Sequence, residues 1–381
     1  MSEDYLPHIL IVDDEETSAY ELGLSTLATT RARHPRDVDV SDLEWADLVL
    51  MDFFLSNWME RDELDEISLQ PPNGLALAAV LREHADAANN GGHNYTAFAI
   101  HSGHIGDISK RLHTTNRTPY VVARLNNLEW AFDKSDELRF ARSAALAAAV
   151  RYVSASWLAV EAGGFATATE ELLKLAVDAP WSDRAADDVV LCQIPLSDFS
   201  AGNNGLLFLR WLLHGILPYP TFLLATHWVA ARLRITPGSL RQVLEGQSEL
   251  AKELAACQYL GVLKTFDGPR WWRAAIDQYV WDLRAAGARD PAAFHAELEK
   301  RAGVNLERIE GVSLAVCVDR ELKPRDVLCT LESVVRLVPD LWPAYADPAY
   351  AKVDVVLEDA DLSSIVHPLD RDRVPALVEE E

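Results

Sequence analysis

The chain has 381 residues, which at roughly 100–200 residues per domain predicts two domains. Its 49% hydrophobic and 25% charged residues, with 18 glycines and 18 prolines, exclude a collagen-like, coiled-coil or largely disordered chain. A net charge of −24 argues against non-specific wrapping of nucleic acid and against docking on an anionic membrane, since both need a basic footprint.

Strands and helices alternate from the start. Ile9-Leu10-Ile11-Val12 is a short apolar run that stops at Asp13-Asp14-Glu15. A run that is apolar on both faces suits a central parallel strand covered by helices on each side. An amphipathic stretch follows over Thr17–Thr29, then a short extended piece at Val38–Val40. Asp47–Phe54 predicts a second apolar strand that ends in the carboxylate of Asp52, and Asn73-Gly74 opens a helix over Leu75–Ala88. Thr96–Ile100 predicts a third strand that ends at His101-Ser102-Gly103. A fourth, near Leu128–Phe132, ends at Lys134, and a helix over Asp136–Val153 closes the first half. This alternation describes an open α/β sheet.

In such sheets ligands bind beyond the carboxyl ends of the strands. Here those ends carry Asp13 and Asp14, then Asp52, then Ser102, then Lys134. Three converging carboxylates repel one another, and a hard divalent cation relieves that repulsion. The lysine is a compact charge suited to a phosphoryl oxygen, and the hydroxyl can add one hydrogen bond to it.

With Ile11-Val12-Asp13-Asp14-Glu15, Leu50-Met51-Asp52, Ser102-Gly103 and Lys134 in this order, residues 6–155 resemble the receiver domain of two-component response regulators. The resemblance implies a flavodoxin-like doubly wound parallel sheet. It implies that Asp52 is the phospho-acceptor, that Asp13, Asp14, Asp52 and the main-chain carbonyl of Phe54 hold Mg2+, that Ser102 is the switch hydroxyl, and that Lys134 pairs with the phosphoryl group. A histidine kinase or related ATPase would be the phosphoryl donor, in the cytoplasm, and the chain itself would catalyse only its own phosphorylation and dephosphorylation. Departures from the pattern are an insert beside Asp52 that includes Ser56–Glu63, a long stretch from Ser102 to Lys134, Ser135 in place of a usual proline, and Ala131, flanked by Trp130 and Phe132, in place of a usual aromatic.

Residues 156–353 read as a mainly α-helical output domain, with helices expected at Thr167–Asp178, Leu206–Leu217, Ala225–Arg234, within Pro269–Arg284 and at Pro291–Ala302. One brief strand is expected near Ser313–Val318, and 354–381 reads as a loosely held acidic tail. The join at Arg151–Ala155 contains no Gly- or Ser-rich linker, so the last helix of the first half should run directly into the second domain. Trp211–Ala231 lacks charged residues over a membrane-spanning length, but Pro218, Pro220, His214 and His227 point to two buried helices. Cys192, Cys257, Cys317 and Cys329 lack paired spacing and read as buried thiols. His101, His104, His93 and His113 could form a metal site, although no fixed helix or hairpin spacing supports it, and His101 could instead tune the site through its charge.

Trp228–Leu244 has the pattern of a helix-turn-helix that would place Ser239, Arg241 and Gln242 toward DNA. Its acidic flank at Glu245, Glu249 and Glu253, and Arg234 where a turn glycine is usual, weigh against that reading. Four functions therefore stay open: a phosphorelay protein controlling its second domain, with a homodimer compatible; a DNA-binding regulator; a phosphorylation-independent interaction adaptor; and an enzyme in 156–353 gated by the first half.

Overall fold

The computed structural model describes residues 6–55, 58, 71–89, 92, 94–195, 205–311 and 313–374. In chain order the first half contains β1 (His8–Val12), α1 (Ser18–Leu24), β2 (Thr29–Arg33), α2 (Val40–Trp45), β3 (Leu48–Asp52), α3 (Gly74–Asn89), β4 (Ala97–Ser102), α4 (Ile105–Ser109), α5 (Pro119–Leu125) and β5 (Trp130–Asp133). These strands form one parallel sheet in the order β2-β1-β3-β4-β5. Both faces are covered, as the unbroken apolar strands require. Leu10, Val12, Val49, Met51, Phe98 and Ile100 face one core with Leu43 of α2 and Leu77 and Leu81 of α3. Ile9, Ile11, Leu48, Leu50, Ala97, Ala99 and Phe132 face the other.

One strand of this half has no counterpart among those expected from the sequence: β2, Thr29–Arg33, which follows the amphipathic stretch and precedes the short Val38–Val40 piece. It is an edge strand, so it tolerates Arg31 and Arg33, both paired with the buried Asp42 carboxylate. Asp39, by contrast, caps α2, its side chain accepting from the Asp42 amide at 3.0 Å.

The closing helix, α6 (Arg139–Thr167), is 14 residues longer at its far end than the sequence suggested. Alanine-rich sequence without an internal breaker sustains it as far as Gly164, where φ of 60° bends the chain; a π turn then covers Ala168–Leu172. The helix expected over Thr167–Asp178 is therefore only that turn. Leu146, Val150, Val153 and Trp157 of α6 join the first-half sheet to the rest of the molecule in one continuous core that extends to Val316 and Leu328.

The second half continues with α7 (Ser182–Leu191), α8 (Gly205–Trp211), β6 (Leu223–Leu224), α9 (Thr226–Leu233), α10 (Pro237–Glu245), α11 (Glu249–Ala256), β7 (Trp271–Trp272), α12 (Arg273–Ala285) and α13 (Pro291–Ala302). It ends with β8 (Leu314–Val318), β9 (Pro324–Thr330), β10 (Val334–Leu337), β11 (Ala349–Lys352), α14 (Val353–Glu358) and α15 (Ala360–Ser364). The last strands form a second sheet in the order β10-β11-β8-β9. The expectation of a mainly helical domain carrying one strand is thus corrected to helices followed by a four-stranded sheet. The tail is corrected as well: through residue 374 it is folded, with Val356, Leu362 and Val366 buried against Val318, Val335 and Leu337.

Arg139–Leu172 is the one helical stretch among the described residues long and apolar enough to cross a membrane, and half of its apolar window is buried inside the fold. Trp211–Ala231 is instead divided between α8, a π turn, β6 and α9.

Candidate functional site

Strand register assembles the site. Val12 of β1 pairs with Met51 of β3, so Asp13 and Asp14 fall beside Asp52. Asp52 pairs with His101 of β4, and Ser102 pairs with Asp133, one residue before Lys134. Side chains alternate along a strand, so Asp13, Asp52, His101 and Lys134 continue the face already occupied by Ile11, Leu50, Ala99 and Phe132. The sheet order places all of this at the topological switch point, where β1 leads to β2 on one side while β3 lies on the other.

Asp13, Asp14 and Asp52 bring carboxylate oxygens within 4.8 Å of one another. The Lys134 Nζ lies 3.0 Å from Asp52 and 3.8 Å from Asp13. The Asp52 side chain is 11% exposed and that of Lys134 36%, so the carboxylate is recessed while remaining open to a small reactant. Burial, and then the neighbouring Asp52, push the Asp13 carboxyl above its ordinary range, against the Glu15 amide, which donates to it at 2.9 Å, and Lys134. Three hard carboxylate donors, one of them (Asp13) resisted in its ionisation by burial and like charge, suit a small divalent cation, so the residues present fit Mg2+.

Around this cluster the loops are tightly determined. At Gly74 a Cβ would sit 2.0 Å from the Asp52 carbonyl oxygen, so only glycine lets α3 begin against the acceptor strand. Its amide donates to Phe53 O at 3.0 Å. Phe54 lies in the loop two residues past Asp52, its ring edge-on to Phe53 and His104. Of the insert Ser56–Glu63 beside Asp52, Trp58 is buried against the α2–α3 side, and the rest lies outside the described residues.

Ser102 is fully buried, and its hydroxyl accepts from the His104 amide at 3.0 Å, within its own loop. Its carbonyl accepts from the Lys134 amide at 3.0 Å, so Ser102 and Lys134 are joined through the main chain. His101 is buried edge-on to Tyr20, with ring centroids 3.8 Å apart. Burial, then Lys134 and Arg139, push its imidazole down to about 2, so it is neutral at physiological pH and does not tune the site by its own charge. Neither His101 Nε2 nor the Tyr20 hydroxyl finds a hydrogen-bond partner among the described residues. Tyr20 was not legible as a neighbour of the site, because only the packing of α1 brings it there.

Among the described residues, His104 and His113 do not converge with His101. His104 pairs with Asp107 and His113 with Asp361, while His93 lies outside the described residues. The helix-turn-helix geometry is present in α9 and α10, with Arg234 in the left-handed region at the turn. Ser239, however, is buried: its hydroxyl accepts from the Glu307 amide at 2.9 Å, so it does not face a groove. Arg241 is paired with Asp326 at 3.0 Å, and Gln242 alone of the three is exposed without an ion pair. Arg270-Trp271-Trp272-Arg273 is core, with both indoles buried, Arg270 bound to Asp267 and the Leu217 carbonyl, and Arg273 to Asp347 and the Thr221 carbonyl.

A cavity of about 390 Å3 lies where α5, loop 266–270 and the β8–β9 hairpin meet, lined by Tyr120, Trp130, Arg142, Phe266, Arg270 and Lys323 among others. Its cations are already engaged: Arg142 and Arg270 with Asp267, and Lys323 with Glu321. It presents no nucleophile–base pair.

No family model, curated protein or solved structure matches the chain.

Proposed function

We propose that the chain is a cytoplasmic, receiver-like phosphorelay protein, phosphorylated on Asp52 to control the remainder of the fold. The observation that carries this reading is the placement of Asp13, Asp14, Asp52 and Lys134 in one cluster at the switch point of a parallel sheet.

In the reaction, an Asp52 carboxylate oxygen attacks the phosphorus of a phosphohistidine or acyl phosphate. The new O–P bond forms as the bond to the imidazole nitrogen, or to the acyl oxygen, breaks, and the leaving group departs with that electron pair. Bound at Asp13, Asp14 and Asp52, Mg2+ would neutralise charge on the transferring oxygens. Lys134 begins 3.0 Å from Asp52 and can follow the new phosphoryl oxygens. The Ser102 hydroxyl, which accepts from the His104 amide, would donate its own O–H to a phosphoryl oxygen.

The route outward is short. Beneath Lys134 on β5, Phe132 and Trp130 both meet Phe266, with centroids 6.5 and 4.8 Å apart. Arg142 of α6 donates to the Phe266 carbonyl at 3.1 Å and to Asp267 at 2.8 Å. A shift of Lys134 is thus delivered directly to loop 266–270 of the second half. The buried Ser239 and the ion-paired Arg241 favour this route over DNA contact.

Incubation of the full chain with acetyl phosphate and Mg2+, followed by intact-mass measurement, tests the proposal. Wild type should gain one phosphoryl group and Asp52→Asn none. Equal labelling of both, or of neither when a cognate histidine kinase is also supplied, would refute it.

A further inference from the structure

We propose that Cys317 and Cys329 form a reversible disulfide on reaction with a hydroperoxide, making the second sheet a site of thiol oxidation. Cys329 of β9 pairs in register with Ala315 of β8, and Cys317 lies two residues along β8 from Ala315. The period of two therefore points both thiols to the same face of the sheet. They share a small cluster with Ala315, Val334 and Tyr350 that is separate from the main core. Both thiols are thus buried side by side in one small cluster on that face. On the other side of Cys317, Tyr350 of β11 is its register partner.

The surroundings divide the roles. The hydrogen bond from Cys317, together with the nearby Lys352 and Arg325, draws the Cys329 thiol down and favours its thiolate against the cost of burial. Cys317 moves the other way and remains the thiol. Cys192 and Cys257 form the internal contrast: burial pushes each up to about 11, and no second thiol is among the groups acting on either.

In the reaction, the Cys329 thiolate attacks one peroxide oxygen and the O–O bond breaks. Hydroxide leaves and takes up a proton as water, and Cys329 is left as a sulfenic acid. The Cys317 sulfur then attacks the Cys329 sulfur. The S–O bond breaks, and water leaves with the proton from Cys317. Two thiols lose two electrons in all, and one hydrogen peroxide becomes two waters. A small dithiol restores the pair by exchange.

The bond would span a defined irregularity. Pairing jumps from Val316–Leu328 to Val318–Pro324, so β9 is bulged opposite Cys317. β9 is an edge strand whose Asp326 holds His227 of α9 and Arg241 of α10. Stapling the bulge would fix the strand that ties the second sheet to those helices.

The test uses the full chain, reduced, freed of reductant and exposed to one equivalent of hydrogen peroxide. Remaining thiols are alkylated under denaturing conditions, and intact mass and non-reducing peptide maps are recorded. Wild type should lose two of its four alkylatable thiols and yield a Cys317–Cys329 cross-linked peptide that dithiothreitol reverses. Cys317→Ser should give no cross-link and should accumulate higher oxidation states on Cys329. Retention of all four thiols in wild type, or a map in which Cys192 or Cys257 oxidises first, would overturn the proposal. The wild-type map decides the matter even where the variant does not fold.

Discussion

Replacing Asp13 with asparagine should stabilise the metal-free protein and at the same time abolish its response to Mg2+. The three carboxylates lie within 4.8 Å of one another. At that separation a pair of unit charges repels by about 0.9 kcal/mol in a water-like medium and about 3.5 kcal/mol at an effective dielectric of 20. Asp13→Asn removes two such repulsions, toward Asp14 and Asp52, and one attraction, toward Lys134 at 3.8 Å. Two repulsions less the stronger attraction leave a gain of about 0.6 kcal/mol in a water-like medium and about 2.6 kcal/mol at an effective dielectric of 20, so about 1–2 kcal/mol is expected. The Asp13 carboxyl is raised in the folded state, chiefly by burial and then by Asp52. Its contribution to stability is therefore greatest below the unfolded value of about 3.9 and is lost as pH rises through the folded value. The gain from the variant should accordingly be largest at neutral pH and vanish in acid.

With Mg2+ at 100 times its dissociation constant, wild type should gain about 2.7 kcal/mol, whereas the variant, short of one ligand, should gain little. The order of stability thus reverses between chelator and Mg2+. Urea unfolding followed by tryptophan fluorescence, with EDTA and with Mg2+, measures both arms. A wild type indifferent to Mg2+, together with a variant less stable than wild type in EDTA, would refute the electrostatic reasoning.

Two further perturbations probe how the halves are joined. Glu129 is fully buried and holds Arg82 of α3, Arg210 of α8 and the Phe98 amide. Glu129→Gln should cost about 3–5 kcal/mol in urea unfolding, because two guanidinium groups lose their shared counter-charge. Burial alone would raise the Glu129 carboxyl, but the two arginines and the Phe98 amide hold it below its ordinary value. Its stabilisation is therefore intact above about pH 4.3 and disappears as pH falls through the depressed value, so the difference between wild type and variant should shrink in acid. Phe266→Ala should cost about 3–5 kcal/mol. If loop 266–270 carries the signal, it should also remove the change in hydrogen exchange of that loop on phosphorylation of Asp52, while phosphorylation itself persists by intact mass.

The parallel sheet was legible because its strands are buried on both faces, and so read as unbroken apolar runs with polar residues only at their ends. β2 was not, since an edge strand carries arginines and looks like a loop in sequence. The four-stranded sheet was largely hidden for a related reason. β9 breaks the period-two alternation at its bulge, with Arg325, Asp326 and Val327 exposed in succession and Leu328 and Cys329 buried in succession, and the other strands of the sheet are only four or five residues long. Val356, Leu362 and Val366 sit among enough acids to resemble a solvated tail, yet they have a core to enter once β8, β10 and β11 have formed.

Sequence order by itself determined which residues end the parallel strands, and with them the candidate acceptor, its acidic neighbours and the lysine, because period and register translate directly into position at one sheet edge. It also determined that the closing helix would run on without a flexible linker. Only the tertiary structure decided that Ser239 is buried, that His101 is held neutral beside Tyr20, that Cys317 and Cys329 share a face, and that the core passes without interruption from the first sheet to the helices. Each of these depends on which residues distant in the chain come to lie against one another, and that is set by packing across elements, which local periodicity does not encode.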